Sequence, residues 1–130
     1  MRRSALLTIL IAGLVGCSDM SSNNDPNPPA HDIAIVQNAK TMGASAFSPA
    51  TLTISLATQN KVTWYNGDFS SGTYGGNGTT HKVFSDDAVT FSSNNIGIRG
   101  VYVATLNTTG TFHYHCAIHP TMTGTLIVNP

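Results

Sequence analysis

In the stretch Phe112-His113-Tyr114-His115-Cys116-Ala117-Ile118-His119-Pro120-Thr121-Met122, a thiol, an imidazole and a thioether fall within seven residues, at Cys116, His119 and Met122. Soft sulfur donors select copper over hard cations, and two His with one Cys and a weak axial Met make the donor set of a blue-copper site. A second imidazole must then come from a distant part of the chain. His81 is the best candidate, because it opens the run His81-Lys82-Val83-Phe84 directly after a Gly-rich stretch. If residues 111–116 form a strand, Phe112, Tyr114 and Cys116 share one face and His113 and His115 the other. The aromatic face is the core side, so Cys116 is delivered at the inner edge of the fold as the strand ends.

Strands are what the rest of the sequence offers for positioning such a set. From Asp32 onward there is no 3.6-residue periodicity, while period-2 segments rich in Val, Ile, Thr and aromatics recur every 8 to 12 residues or so. Strands are expected at 33–37, 51–57, 61–65, 81–85, 89–91, 101–106, 111–116 and 124–128. Leu52, Ile54 and Leu56 alternate with three hydroxylated residues, the pattern of a half-buried strand. Gln59-Asn60 reads as a hairpin turn, since Asn tolerates positive φ. Seven or eight short strands over about 100 residues imply an all-β fold, an antiparallel Greek-key sandwich around one core. Two connections stand out: 66–80, with five Gly in fifteen residues, and the polar 92–99. The first is long enough to be functional or mobile.

Over essentially all of residues 32–130 the sequence resembles the cupredoxins of the plastocyanin, pseudoazurin and amicyanin group. The matching pieces are Phe47-Ser48-Pro49, Val62-Thr63-Trp64-Tyr65-Asn66, the isolated His81, Gly110-Thr111-Phe112, and Cys116-x-x-His119-x-x-Met122 followed by Gly124-Thr125-Leu126. The spacing of Cys, His and Met is similar to the short ligand loop of amicyanin. The resemblance implies one type 1 copper ion held by His81, Cys116, His119 and Met122. It departs from the family at Lys82, where an Asn side chain often braces the two ligand loops; a cation there would raise the potential. His-Cys also occurs in copper nitrite reductases, where that His holds a second, catalytic copper. The partner imidazoles this needs are missing, His113 being the only spare one in the fold, so His115 is expected as an exposed side chain beside the Cys ligand.

Residues 1–16 read as an export signal, with Arg2 and Arg3 before an apolar run from Ala5 to Val15 that is shorter than the roughly 20 residues a membrane span takes. It ends in Leu14-Val15-Gly16-Cys17, which resembles a bacterial lipobox and implies lipidation of Cys17. Ser18 in place of Asp then favours the outer membrane. Residues 17–31, rich in Pro and polar side chains, are expected to be a flexible tether in which His31 is solvated. Cys116 is left as a lone thiol outside the cytoplasm, where free thiols tend to be oxidised.

Composition narrows the partners. Only 9% of residues are charged, six basic against six acidic, where about a quarter is usual; Ser, Thr and Asn, 40 residues together, supply the polarity. Nothing here marks a nucleic-acid or anionic-membrane surface. The expectation is a monomeric electron carrier, lipid-anchored on the periplasmic side of the outer membrane or at the cell surface. It would meet redox proteins such as a cytochrome or a copper oxidoreductase through apolar contacts around His119. The alternative is a copper-binding protein for storage, delivery or resistance. An enzyme is not expected, for want of a second metal set or a nucleophile and base pair.

Overall fold

The computed structural model describes residues 27–70 and 77–130. Cys17 and the expected export signal lie outside them. Among the described residues eight strands form two four-stranded sheets: β1 (Ile33–Ile35), β2 (Phe47–Ser48), β3 (Thr51–Ser55), β4 (Lys61–Asn66), β5 (Val83–Ser85), β6 (Val101–Thr105), β7 (Gly110–Cys116) and β8 (Thr123–Asn129). One sheet has the order β2-β1-β4-β6, the other β3-β8-β7-β5. Two 3-10 turns, Ala39–Thr41 and Gly43–Ser45, link β1 to β2. Among the described residues no helix is long and apolar enough to cross a membrane.

The all-β sandwich expected from the sequence is present, with local differences, among them the short strand β2, which was not expected. The sheets are mixed, because β1 pairs in parallel with β4 and β3 in parallel with β8. These pairings join strands distant in sequence, which the alternation within each strand does not reveal. Gln59-Asn60 is not a hairpin turn: it joins β3 of one sheet to β4 of the other. The expected strand at 89–91 is a turn. The Asp87 carboxylate accepts the backbone N–H groups of Val89 (3.0 Å) and Thr90 (2.9 Å) and the Thr90 hydroxyl, and Ala88 has a φ of 61°. Those bonds, led by Thr90, hold the Asp87 carboxyl far below the usual carboxylate range. His31 likewise is half-buried, its ring 5.1 Å from that of Tyr65, instead of solvated.

The core follows from the period-2 pattern. Trp64 on β4 is fully buried between the sheets, with Tyr114 of β7 edge-on at 5.6 Å, Phe91 at 5.3 Å and Tyr102 at 5.6 Å. Tyr114 lies across β8 at its cross-strand partner Gly124. A Cβ at Gly124 would sit 2.3 Å from the Tyr114 ring carbon Cζ, so only Gly leaves room for that ring. Inward Phe112 and Tyr114 continue to Cys116, which is fully buried opposite Val83 of β5. The sandwich thus delivers one sulfur to the end of its core.

Candidate metal centre

β7 ends at Cys116, and the next six residues fold back in tight turns. The His119 N–H donates to the Cys116 carbonyl (3.1 Å), the Met122 N–H to the His119 carbonyl (3.0 Å), and the Cys116 N–H to the Met122 carbonyl (3.0 Å). The joints of this closed circuit are three of the four predicted ligands. The three-residue spacing read in the sequence is therefore the spacing of two successive i to i+3 turns, which places the three side chains at one end of the core. Met122 and Cys116 are fully buried, whereas His119 is partly exposed beside Ile118, itself 45% exposed.

His81 arrives from the other side, just before β5. Its backbone exchanges two hydrogen bonds with Ile96, at 3.1 and 2.7 Å. The ring is wholly buried, with Nδ1 3.6 Å from the Cys116 Sγ; the His119 Nδ1 lies 3.7 Å from the same sulfur. The three donor atoms all lie within 4.8 Å of one another, close enough to share one ion. The two imidazole rings stand 5.1 Å apart at 60°. A thiol, two imidazoles and the buried thioether of Met122 are thus positioned as a single-copper site, the soft set predicted.

The electrostatics prepare the sulfur for a metal. Burial works to raise the Cys116 thiol, but His81 and the backbone N–H groups of Lys82, His119 and Ile118 outweigh it and lower the pKa from 9.0 to about 6. Near neutral pH the group is a thiolate, the form that binds metal. The Lys82 N–H donates to Sγ at 3.5 Å, and the Lys82 carbonyl accepts the Ala117 N–H at 2.8 Å. The brace between the two ligand segments, which the sequence placed in doubt because Lys stands where the family often has Asn, is supplied by the backbone of Lys82.

A feature the sequence did not disclose lies behind His81. Its Nε2 is 2.9 Å from the Oδ2 of Asp68, and both side chains are buried, at 0% and 6% exposure. Asp68 Oδ1 accepts the Asn38 N–H at 2.6 Å. The fully buried Asn66 closes the network: its side-chain amide donates to the carbonyls of Thr79 (2.8 Å) and Ile96 (2.9 Å) and accepts the Asp68 N–H (3.0 Å). The one available signal was that Asp68 is the sole charged residue in the 66–80 connection.

His113 and His115 do not join a ligand group among the described residues. The His113 ring reaches the Thr125 hydroxyl at 3.1 Å, and the His115 Nδ1 pairs with Asp86 Oδ1 at 2.6 Å on the outer face of β7. His115 is thus half-buried and paired, beside the Phe84 ring, instead of simply exposed.

No protein-family model matches the chain, and no curated protein matches its sequence. Solved structures do. A purple cupredoxin from Nitrosopumilus maritimus superposes with a TM-score of 0.61 at 22% identity, over 77% of this chain and 100% of that one. A Cu-containing nitrite reductase from Thermus scotoductus SA-01 gives 0.58 at 23% identity; this chain aligns over 80% of its own length and spans 23% of that one. An amicyanin in its Cu(I) form aligns at 24% identity with a TM-score of 0.48, over 62% of this chain and 70% of that one. The fold that the first two share with this chain is the cupredoxin sandwich.

Proposed function

We propose that this cupredoxin-fold chain is a type 1 (blue) copper protein that passes single electrons between redox partners. The observation that carries the reading is a buried cysteine sulfur with an imidazole Nδ1 on either side, at 3.6 and 3.7 Å, closed by backbone bonds that leave the ligand residues little freedom. Copper bound there would supply a one-electron couple between the cuprous and cupric states. The chain's contribution is rigidity and access. Cys116, Met122 and His81 lie inside the sandwich, while the partly exposed edge of His119, beside Ile118 and Pro120, is the place for electrons to enter and leave. With equal numbers of acidic and basic residues, docking there would be short-lived and mainly apolar, with little steering.

The chain is read as a carrier: its two spare imidazoles, His113 and His115, are taken up by Thr125 and Asp86 on the outer side of β7. A lipid anchor at Cys17, a place on the periplasmic side of the outer membrane or at the cell surface, and a cytochrome or copper oxidoreductase as partner complete the proposal, and rest on the sequence. The test is the visible spectrum of the protein with cupric ion. An intense thiolate-to-copper band, lost in Cys116→Ser, supports the site, and a pale spectrum ends the type 1 reading. Reversible one-electron voltammetry then separates a carrier from a copper store.

A further inference from the structure

We propose that Asp68 is a positioning residue for His81: its carboxylate takes the Nε2–H, holds Nδ1 toward the Cys116 sulfur, and sets a negative charge behind the metal that favours the cupric ion. The effect on redox balance rests on the copper reading above; the effect on the ring does not.

Geometry makes the pairing specific. An imidazole that binds through Nδ1 must carry its proton on Nε2, and Asp68 Oδ2 stands 2.9 Å from that atom. Asp68 is itself held, side chain and backbone, from several parts of the chain. The Asn38 N–H, at the turn after β1, fills Oδ1; the Asn66 side chain, at the end of β4, accepts the Asp68 N–H; and the Asp68 carbonyl accepts the Thr79 N–H at 3.0 Å from the returning arm of the same connection. The two arms also meet at the bridge between Phe69 and Gly78. A Cβ at Gly78 would lie 2.8 Å from the Asp68 carbonyl oxygen, so the returning arm passes too close for a side chain. The purpose of so much fixing is legible in what it aims at: a buried carboxylate costs stability unless its oxygens are satisfied, and here one oxygen is given to a metal ligand.

The charge has a direction. A negative group close to a metal in a low-dielectric interior stabilises the more highly charged oxidation state, which lowers the reduction potential. Among the described residues His119 has no such carboxylate behind it. The two imidazoles thus differ, His81 being buried and charge-backed while His119 is the partly exposed one.

Asp68→Asn keeps the shape and an acceptor oxygen but removes the charge; Asp68→Ala removes both. In the metal-free protein, long-range proton–nitrogen NMR reads which nitrogen of His81 carries the proton. Wild type is expected to show it on Nε2, and Asp68→Ala to lose that preference. In the copper form, voltammetry of Asp68→Asn is expected to show a roughly tenfold shift toward the cuprous ion, upward by about 59 mV for one electron, with the visible band kept. Asp68→Ala is expected to shift the band as well and to weaken copper retention by about tenfold or more. Wild-type tautomer and potential in both variants would overturn the proposal. A wild-type protein that gives no visible band ends the copper reading instead, and the tautomer measurement then decides the role of Asp68 alone.

Discussion

Between Cys116 and Met122 three ligands ride on seven consecutive residues whose own backbone bonds close the circuit, whereas His81 is fixed by groups drawn from Asn38, Asn66, Asp68 and Ile96. The first half is local: once β7 and β8 are paired, its turns follow from the spacing. The second half exists only when β1, β4 and the two arms at 66–70 and 77–80 have all reached their places. The difference separates two tasks, since the contiguous half supplies the sulfur and most of the donors, while the remote half sets how one imidazole is presented and what charge lies behind it.

That division can be broken at several points. The largest effect is expected from Asn66→Ala, which leaves two carbonyls and the Asp68 N–H to find new partners inside the protein. A loss of roughly 2–4 kcal/mol in urea unfolding follows from the cost of unmet buried polar groups, together with faster amide exchange at Asp68. Unchanged stability would mean that the remote half is less dependent on this hub than its bonds imply. Next comes Gly124→Ala, which strikes the strand pair that supports the contiguous half. The Tyr114 ring must shift, at a cost of about 1–3 kcal/mol, and near-ultraviolet dichroism from Tyr114 and Trp64 should change with it.

A smaller effect, and one that isolates the sulfur, is the pH dependence of the metal-free protein. The Cys116 pKa is lowered on folding, from 9.0 to about 6. The unfolded chain therefore binds the proton that the folded one has released, and stability rises as pH increases from about 6 to 9. Urea midpoints across that range should climb in wild type and lose this component in Cys116→Ala; parallel curves would show that the thiolate is not the cause. The smallest effect is expected at Lys82→Ala. The brace is made by backbone atoms, so stability should stay within about 0.5 kcal/mol and the copper spectrum should not move. A lost band would transfer the brace to the side chain.

The same contrast explains what could be read from the sequence. Alternation through Phe112, Tyr114 and Cys116 assigns the inner face of β7, and the ligand spacing survives intact because both are local properties of a few residues. Val89 to Phe91 has the β-branched and aromatic content of a strand, yet the side chain of Asp87 offers nearby N–H groups a better partner and makes a turn. Gln59-Asn60 has turn chemistry either way; whether the strands on each side share a sheet depends on partners far along the chain. The pairing of Asp68 with His81 was beyond reach for the same reason: its lone charge marks the residue, but nothing within a few residues of it points thirteen positions ahead to His81.

The placement of β8 carries one more consequence. It is the last of the eight strands in chain order, yet it lies inside its sheet, with β3 on one side and β7 on the other. On a chain made from its amino end, β3 and β7 emerge before the strand that must separate them, and although β5 and β7 can already pair, the link from β7 to β3 waits for residues beyond the ligand loop. Folding of this half is therefore a late event, dominated by pairings of long sequence separation, such as Thr51 with Thr125. Until then the sulfur of Cys116 is an uncovered thiol. The interval between synthesis of Cys116 and insertion of β8 is when it is most open to oxidation, and faster insertion of that strand protects it.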